Sequence, residues 1–202
     1  MMNILLRALA HQHKSFTRDK AGFTLVEIAI VVLIVGILSA IAAPSWDAFI
    51  SRQRMRTVNG QVIQAIRSAQ AEAKRTKSSY TVQFRYDPIN DIDPPEYSIY
   101  PEPTADTDKV WEPLNANGEI GEGIVDFYSQ ANGADTDSIT FDYLGAVDSP
   151  TVSISDTPVN TDGFTVTVSR EGRSRRCTKV LTLLGATEIS EGNDSATGCP
   201  YN

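Results

Sequence analysis

Residues 23–44 read FTLVEIAIVVLIVGILSAIAAP, and this stretch decides how the rest of the chain is interpreted. Positions 28–43 are interrupted only by Ser39, and the run from Phe23 to Ala43 would extend about 31 Å as a helix, just enough to cross a bilayer. It contains one carboxylate, Glu27. Because an ionised carboxylate in hydrocarbon costs about 2.5 to 3.5 kcal/mol, Glu27 needs a charged partner.

The residues before this run predict its orientation. Residues 1–22 carry four basic side chains against Asp19 alone, a net charge of +3. The positive-inside rule therefore places the N-terminus in the cytoplasm and everything after Pro44 on the far side. An ordinary secretory signal and an unprocessed single-pass anchor are the alternatives. The long polar leader, the small residue Gly22 at the start of the run and Glu27 within it disfavour a secretory signal, and Glu27 also disfavours a plain anchor.

Composition narrows the function classes. The chain has 202 residues, 41% of them apolar, and a formal charge of −7, which suits one globular domain plus an appendage. Both histidines, His11 and His13, precede the apolar run. The rest of the chain thus cannot form a Ser-His-Asp or Cys-His catalytic set or a histidine-ligated zinc site. We predict no catalytic residue, metal site or cofactor, and a protein that is not an enzyme.

The two cysteines, Cys177 and Cys199, match no CxxC metal or redox motif. In an exported chain they predict one disulfide near the C-terminus, with a pair of free buried thiols as the alternative. Closing a loop of this length would contribute about 3 kcal/mol in the chain-entropy model.

Two periodicities follow the apolar run. Residues 45–77 continue the helix as an amphipathic segment, with an apolar stripe at three- and four-residue spacing. That stripe comprises Trp46, Phe49, Ile50, Val58, Val62, Ala65, Ile66, Ala69 and Ala73. The basic residues of the segment 45–77 are interpreted mainly as a solvated face, although the arginines at 52–56 could also contact lipid phosphates.

From residue 78 the apolar period becomes two, which predicts short strands separated by loops rich in Pro, Gly, Asn and Asp. The predicted strands are 80–86, 96–100, 124–128, 138–143, 151–154, 164–169 and 178–184. We therefore expect an α+β protein. Its long N-terminal helix, membrane-inserted in its first half, packs against an antiparallel β-sheet or small β-sandwich head over residues 78–202.

The segment from Lys20 to Glu27, KAGFTLVE, resembles the class III signal of type IV pilins and type II secretion pseudopilins. The resemblance implies a leader over residues 1–22, cleaved by prepilin peptidase between Gly22 and Phe23, with N-methylation of Phe23. Residues 23–44 would then form the transmembrane and assembly helix. Glu27 falls at the family's glutamate position, where a neighbouring subunit's N-terminal amine could pair with it and set the register of assembly.

Within this family the head is similar to minor pilins and pseudopilins of the GspH/FimT type. That similarity rests on Ile139-Thr140-Phe141 followed by Gly145, and on residues 172–177 (GRSRRC) before a late strand and the closing Cys199. The implied partners are other major and minor pilins or pseudopilins, prepilin peptidase and an inner-membrane assembly platform. The implied location is the inner membrane with a periplasmic head, and afterwards the pilus or pseudopilus.

Charge is uneven in the head. Residues 78–169 hold two basic side chains against seventeen acidic ones, whereas residues 170–179 hold five against one. Local pairing with acidic neighbours is one interpretation of the basic segment. The other is a DNA contact, because a Gly-Arg-x-Arg turn is the feature associated with DNA in competence-linked minor pilins. The candidate DNA-binding residues are Arg173, Arg175, Arg176 and Lys179.

These observations predict a minor pilin-like structural subunit of a type IV pilus, acting in its initiation or tip complex. A GspH-type minor pseudopilin of type II secretion and a DNA-binding minor pilin for natural transformation are the alternatives. The first two share every residue discussed above, whereas the third requires an affinity for nucleic acid.

Overall fold

The computed structural model describes residues 22–115, 118–131, 134–148, 163–170, 175–192 and Cys199. The chain divides into two compact units, residues 1–45 and residues 46–202. The long helix α1 (Leu25–Thr76) begins in the first unit and supplies the helix of the second. Its bounds lie within the helical range of 23–77 that the sequence predicts.

The described part of the first unit is an apolar helix segment whose side chains are exposed. From Phe23 to Ile41 every large apolar side chain is about half exposed or more, with Leu25 at 86% and Ile28 at 49%. Among the residues whose side chains the structure describes, no helical stretch meets the length and hydropathy of a membrane span.

The second unit adds short strands after α1. In the described residues these are β1 (Tyr80–Asp87), β2 (Ile92–Pro101), β3 (Glu112–Pro113), β4 (Asp126–Ala131), β5 (Ala134–Asp135), β6 (Ser138–Phe141), β7 (Phe164–Ser169), β8 (Arg176–Val180) and β9 (Thr187–Glu191). Within the same residues they form two antiparallel sheets, with orders β3-β2-β1-β6 and β5-β4-β7-β8-β9.

The core lies between α1 and the inward faces of both sheets. Helix residues at three- and four-residue spacing, from Met55 to Ala73, join the buried cluster with Val82 of β1 and Val166 of β7. The two sheets meet directly through Phe84, whose ring lies 5.7 Å from that of Phe127 and 6.2 Å from that of Phe164. The predicted α+β class, with a helix packed on antiparallel sheets, is confirmed.

The apolar stripe of the helix is shorter than predicted. Trp46 and Phe49 are 68% and 52% exposed, and burial becomes continuous along the stripe only from Ser51 and Met55 onward. In the described chain the strands cover the helix beyond this point, because β8 and β9 reach it near Arg56 and Asn59.

The two-residue strands β3 and β5 were not predicted, and β6 ends two residues before the predicted boundary. Strand boundaries differ most from the prediction in three other places. First, β2 begins at Ile92, within a predicted loop, because β1 and β2 pair again at Asp87 and Ile92 after an irregularity that accommodates Pro94 and Pro95. Second, β4 is shifted by about two to three residues, from the predicted 124–128 to 126–131.

Third, β8 starts at Arg176 and stops at Val180, whereas the predicted strand ran to 184. Gly185 N donates to Thr182 O at 2.8 Å, closing a turn that leads into β9. The sequence of β9, TEISE, was not predicted as a strand because its charged side chains resemble a loop. The predicted strand at 151–154 lies outside the described residues.

Candidate functional site

The segment predicted for processing and assembly lies at the start of α1. The Thr24 hydroxyl accepts a hydrogen bond from the Glu27 backbone N–H at 3.1 Å, so Thr24 and Glu27 occupy the first and last positions of a T-x-x-E capping arrangement. Glu27 therefore lies in the first helical turn, where its negative charge is favoured by the helix dipole. The described segment places Gly22 and Phe23 just before this cap, with Phe23 76% exposed.

This geometry suits a chain that begins at Phe23. The cap consists of Thr24 and Glu27, so a cut between Gly22 and Phe23 would leave it whole. The new amine would lie next to an exposed apolar helix whose described acidic residue is Glu27. Apolar side chains are unfavourable in water, so this segment is stabilised when lipid or other helices cover it.

The basic segment of residues 170–179 separates in the structure into residues with different surroundings. Arg176, at the start of β8, forms an ion pair with Glu191 of β9 and is largely covered, with 21% of its side chain exposed. Lys179 is buried within β8 between β7 and β9, with 5% exposure. The Arg170 guanidinium donates to the hydroxyl of Ser51 on α1. Arg173, predicted with them, lies outside the described residues.

Of the two interpretations of the basic segment, pairing with an acidic neighbour therefore applies to Arg176. Arg56 of α1 shares the same carboxylate, with its Nε 4.0 Å from Glu191 Oε1. Burial lowers the pKa of Arg176, and the positive charge of Arg56 lowers it further. Phosphate contact through Lys179 would require its burial to be undone.

The predicted disulfide is present. Cys177 of β8 and Cys199 are bonded, with their Cα atoms 5.5 Å apart, and both are fully buried. Cys199 N also donates to Gly192 O at 3.3 Å. The bond attaches Cys199 to β8, the strand next to the edge strand β9 of the five-stranded sheet.

A feature that sequence reasoning missed is an open cleft of about 610 Å³ where β1 and β4 diverge. It is lined by Phe84, Arg85, Tyr86, Phe127, Tyr128, Ser129, Asp135, Thr136 and Asp137. The Tyr128 hydroxyl donates to Asp135 Oδ1 at 2.6 Å, and Gln83 Nε2 donates to Asp137 Oδ2 at 2.6 Å. Burial and the bond to Asp135 raise the pKa of Tyr128 to about 12.

The acidic residues at 135 and 137 are visible in the sequence. Their position in the cleft depends on the pairing of strands that are distant in the sequence, which a local pattern does not show. No group of three or more His, Cys, Asp or Glu side chains in the described part of the chain is arranged to hold a metal ion. The side chains that line the cleft include acidic and aromatic ones.

Comparison with known proteins identifies the N-terminal region. The family described as "Prokaryotic N-terminal methylation motif" matches residues 17–43. The type IV major fimbrial protein FimA of Dichelobacter nodosus is 40% identical over 62 residues, which cover 29% of this chain and 40% of that protein. The type IV major alpha-pilin of Moraxella bovis is 46% identical over 41 residues, 20% of this chain and 26% of that protein.

The chain thus spans well under half the length of these relatives. The crystal structure of the type IV minor pilin FimU of Pseudomonas aeruginosa aligns with a TM-score of 0.44 and 14% identity, covering 74% of this chain and 95% of that one. The similarity rests on the methylation motif and the N-terminal matches, and the relatives matched there are fimbrial proteins. The N-terminal region of the chain therefore carries the prokaryotic N-terminal methylation motif and is similar to the N-terminal regions of type IV fimbrial proteins.

Proposed function

We propose that this protein is a minor pilin-like structural subunit that is cut by prepilin peptidase between Gly22 and Phe23, methylated at Phe23, and assembled into a type IV pilus. The observation that carries the proposal is the continuity of three features. The matched motif, the capped helix start and the exposed apolar helix follow one another within residues 17–43.

The exposed apolar segment supplies the packing. Burying large apolar side chains stabilises an assembly by about 25 cal/mol per Å² of apolar surface, and the side chains from Phe23 to Ile41 are available for it. Before assembly, residues 23–44 lie in the inner membrane with the head on the periplasmic side. During assembly, the same side chains exchange lipid for the helices of neighbouring subunits.

Glu27 supplies the register. A carboxylate among apolar helices is tolerated when a cation pairs with it, and removing one partner of such a pair is strongly destabilising. The methylated amine of a neighbouring Phe23 is the partner that processing creates. The isolated subunit is thereby disfavoured, and one vertical offset between parallel helices is favoured over others.

The head selects partners. Its cleft between β1 and β4 is lined by acidic and aromatic side chains, whereas the pocket near Arg56 is lined mainly by arginines. Two distinct surfaces are therefore available to neighbouring subunits. The minor role in an initiation or tip complex is supported by the resemblance of the segments at 139–145 and 172–177 to GspH/FimT-type heads. The other partners we propose are major and minor pilins and the inner-membrane assembly platform.

Mass spectrometry of the protein recovered from native membranes tests this function. We expect an intact mass for a chain that begins at Phe23 and carries one added methyl, with two thiols appearing only after reduction. A Gly22→Leu variant is the matched control and should keep the whole leader. A mass that retains residues 1–22 in the unmutated chain would contradict the proposal and favour a membrane-anchored binding protein.

A type II secretion pseudopilin would show the same processing, so deletion phenotypes must separate the two roles. Loss of pili with intact secretion supports the pilus subunit, and the converse supports the pseudopilin. DNA binding is tested with the full chain in neutral detergent. Salt-sensitive binding that disappears in Arg173→Ala with Arg175→Ala would support a DNA-uptake role, and no binding at low salt would contradict it.

A further inference from the structure

Arginines from two distant parts of the sequence line one small surface pocket in the second unit. Arg52 and Arg56 come from α1, and Arg175 and Arg176 come from the start of β8. Met55 and Glu191 complete the lining. The sequence gives two basic segments about 120 residues apart, and the pairing of β8 with β9 on the helix brings them to the same place.

The pocket carries a strong excess of positive charge. Four arginines and one carboxylate line it, and Glu191 Oε1 is shared by Arg56 and Arg176. The side chain of Arg56 remains 56% exposed, so its charge reaches solvent. Like charges held this close repel one another, and the positive charge of Arg56 adds to the effect of burial in lowering the pKa of Arg176. An anion bound at this pocket would relieve it.

Two aromatic side chains precede the arginines on the same helix. Trp46 and Phe49 are 68% and 52% exposed, with ring centroids 6.0 Å apart. Positions 46, 49, 52 and 56 follow three- and four-residue spacing, which places them along one side of α1. Along this side of α1, in chain order, the two aromatic residues therefore come before the two arginines.

We infer that this arginine and aromatic surface, formed by Trp46, Phe49, Arg52, Arg56, Arg175 and Arg176, docks on anionic phospholipid. The guanidinium groups bind lipid phosphates as charged, bidentate donors. Trp46 and Phe49 lie at the depth of the headgroups, where amphipathic and aromatic residues are enriched. The inference rests on the proposed function, because a lipid surface is at hand only for a subunit inserted in the membrane.

The arrangement favours lipid over nucleic acid. A duplex offers successive phosphates along its backbone and is bound by an extended series of basic contacts. Here the arginines are gathered at one pocket around one glutamate, with exposed aromatic rings beside them. Docking would hold the head in one orientation on the membrane until the subunit enters the filament, when these contacts are released.

The test uses the full chain reconstituted into vesicles of phosphatidylcholine alone or of phosphatidylcholine with phosphatidylglycerol. Arginine side chains are modified with phenylglyoxal, and the modified positions are identified by mass spectrometry. We expect modification of Arg52, Arg56 and Arg175 to slow about fivefold when phosphatidylglycerol is present, in keeping with the attraction of basic residues to an anionic surface. High salt should remove the protection.

Variants show whether the cluster acts as a unit. Arg52→Glu with Arg56→Glu should abolish the lipid-dependent protection of Arg175. The matched control is Arg67→Glu, which changes a helix arginine that bonds to Thr187 instead. It should leave the protection intact, and Arg85, which stacks on Trp111 in the other sheet, should react equally in both vesicles.

Each remaining outcome overturns the inference. Equal modification in both kinds of vesicle overturns it, as does protection by duplex DNA added to phosphatidylcholine vesicles without any by phosphatidylglycerol, which would assign the surface to nucleic acid. Equal protection by the same concentration of inorganic phosphate would indicate an adventitious ion only. A chain that fails to float with either vesicle contradicts the proposed function as well, whereas flotation without protection contradicts this inference alone.

Discussion

Thr178 Oγ1 donates a hydrogen bond to Asn59 Oδ1 at 2.9 Å, joining β8 to α1 across 119 residues of sequence, with both side chains buried. A buried amide oxygen that loses its donor cannot recover the bond from water, so the contact fixes one position of the helix against the five-stranded sheet. It also specifies the register in which the basic start of β8 approaches Arg56.

Replacing Thr178 with valine tests this contact. The change keeps the shape of the side chain and leaves Asn59 Oδ1 buried without its donor, so we expect the free energy of unfolding to fall by about 1 to 3 kcal/mol in urea. The matched control is Thr167→Val. Thr167 Oγ1 is buried without a hydrogen-bond partner in the described residues, so this change should be neutral or slightly stabilising. Equal losses in the two variants would contradict the role of the Asn59 contact.

Much of the fold was predictable where the pattern is local. The helix of 25–76 follows from apolar spacing, and β1, β6 and β7 follow from period-two runs of β-branched and aromatic residues. The prediction was wrong where tertiary pairing overrides local preference. Ile92–Pro95 joins a strand despite its prolines because the irregularity in β1 and β2 removes the need for their missing donors.

The candidate site divides in the same way. The cysteine pair was predictable because it depends on residue identities alone. The methylation motif was recognisable for the same reason, and cleavage between Gly22 and Phe23 stays a prediction. The contact of Glu191 with both Arg56 and Arg176 was not predictable, since it requires the pairing of β8 with β9 and their approach to α1. The exposure of Trp46 and Phe49 was missed because three- and four-residue spacing shows which residues share a helix face and not how far along the helix the sheets extend.

Removing the disulfide should weaken the head. The bond joins Cys177 and Cys199 across a separation of 22 residues, and a loop of that size is worth about 3 kcal/mol through the unfolded state. We expect Cys177→Ala with Cys199→Ala to unfold at a clearly lower temperature. Reductant should lower the melting temperature of the unmutated protein toward that of the variant and leave the variant unchanged. A variant that responds to reductant would show that the effect does not arise from this bond.

Stability should decline in alkali because of two tyrosines. The Tyr97 hydroxyl donates to Glu112 Oε2 at 2.6 Å, and burial together with this bond raises the pKa of Tyr97 to about 12. The pKa of Tyr128 is raised to about 12 by burial and Asp135. The folded state therefore favours the neutral phenols, so their contribution is complete below pH 10 and is lost as pH rises from about 10 to about 12.

A double Phe variant isolates this contribution. Tyr97→Phe with Tyr128→Phe removes both hydroxyl groups, so the stability advantage of the unmutated chain should be constant below about pH 9 and shrink above about pH 10. Urea unfolding across that range measures the difference. A difference that stays constant with pH would contradict the raised pKa values, and Tyr143→Phe, at an exposed tyrosine, serves as the control.

Gly145 should resist substitution for two reasons. Its φ of +77° is unfavourable for a residue with a side chain, and an added Cβ would meet the side chain of Lys74 on α1. Its carbonyl oxygen also accepts a hydrogen bond from Gln70 Nε2 at 2.8 Å. We expect Gly145→Ala to cost about 1 to 2 kcal/mol from the backbone alone, and more where Lys74 cannot move aside.

Gly118→Ala is the matched control for that substitution. Its φ is +92°, and apart from its chain neighbours no atom of the described residues lies within 4 Å of an added Cβ, so we expect only the backbone cost. Chemical unfolding of both variants should place Gly145→Ala below Gly118→Ala in stability. Adding Lys74→Ala to the Gly145→Ala variant should recover the excess loss. Identical losses at the two glycines would show that the helix side chain gives way freely.

The last prediction separates the charge of Glu27 from its part in the helix cap. Glu27→Gln keeps the size of the side chain and its capacity to cap, but removes the charge that a neighbouring amine would pair with. We expect this variant to be cleaved and methylated normally, as judged by intact mass, and to be recovered poorly with other pilins in a pull-down from membranes. Thr24→Val makes the opposite change, since it removes the hydroxyl that accepts from Glu27 N and keeps the carboxylate.

Thr24→Val should therefore be incorporated nearly as well as the unmutated chain. Losing a helix cap costs about 1 kcal/mol, whereas breaking a buried ion pair costs about 3 to 5 kcal/mol. Equal incorporation of Glu27→Gln and the unmutated protein would mean that register is set elsewhere. Because the described side chains from Phe23 to Ile41 carry no other charge that could fix a vertical offset, register would then have to come from contacts between heads, and the cleft between β1 and β4 would be the first surface to mutate.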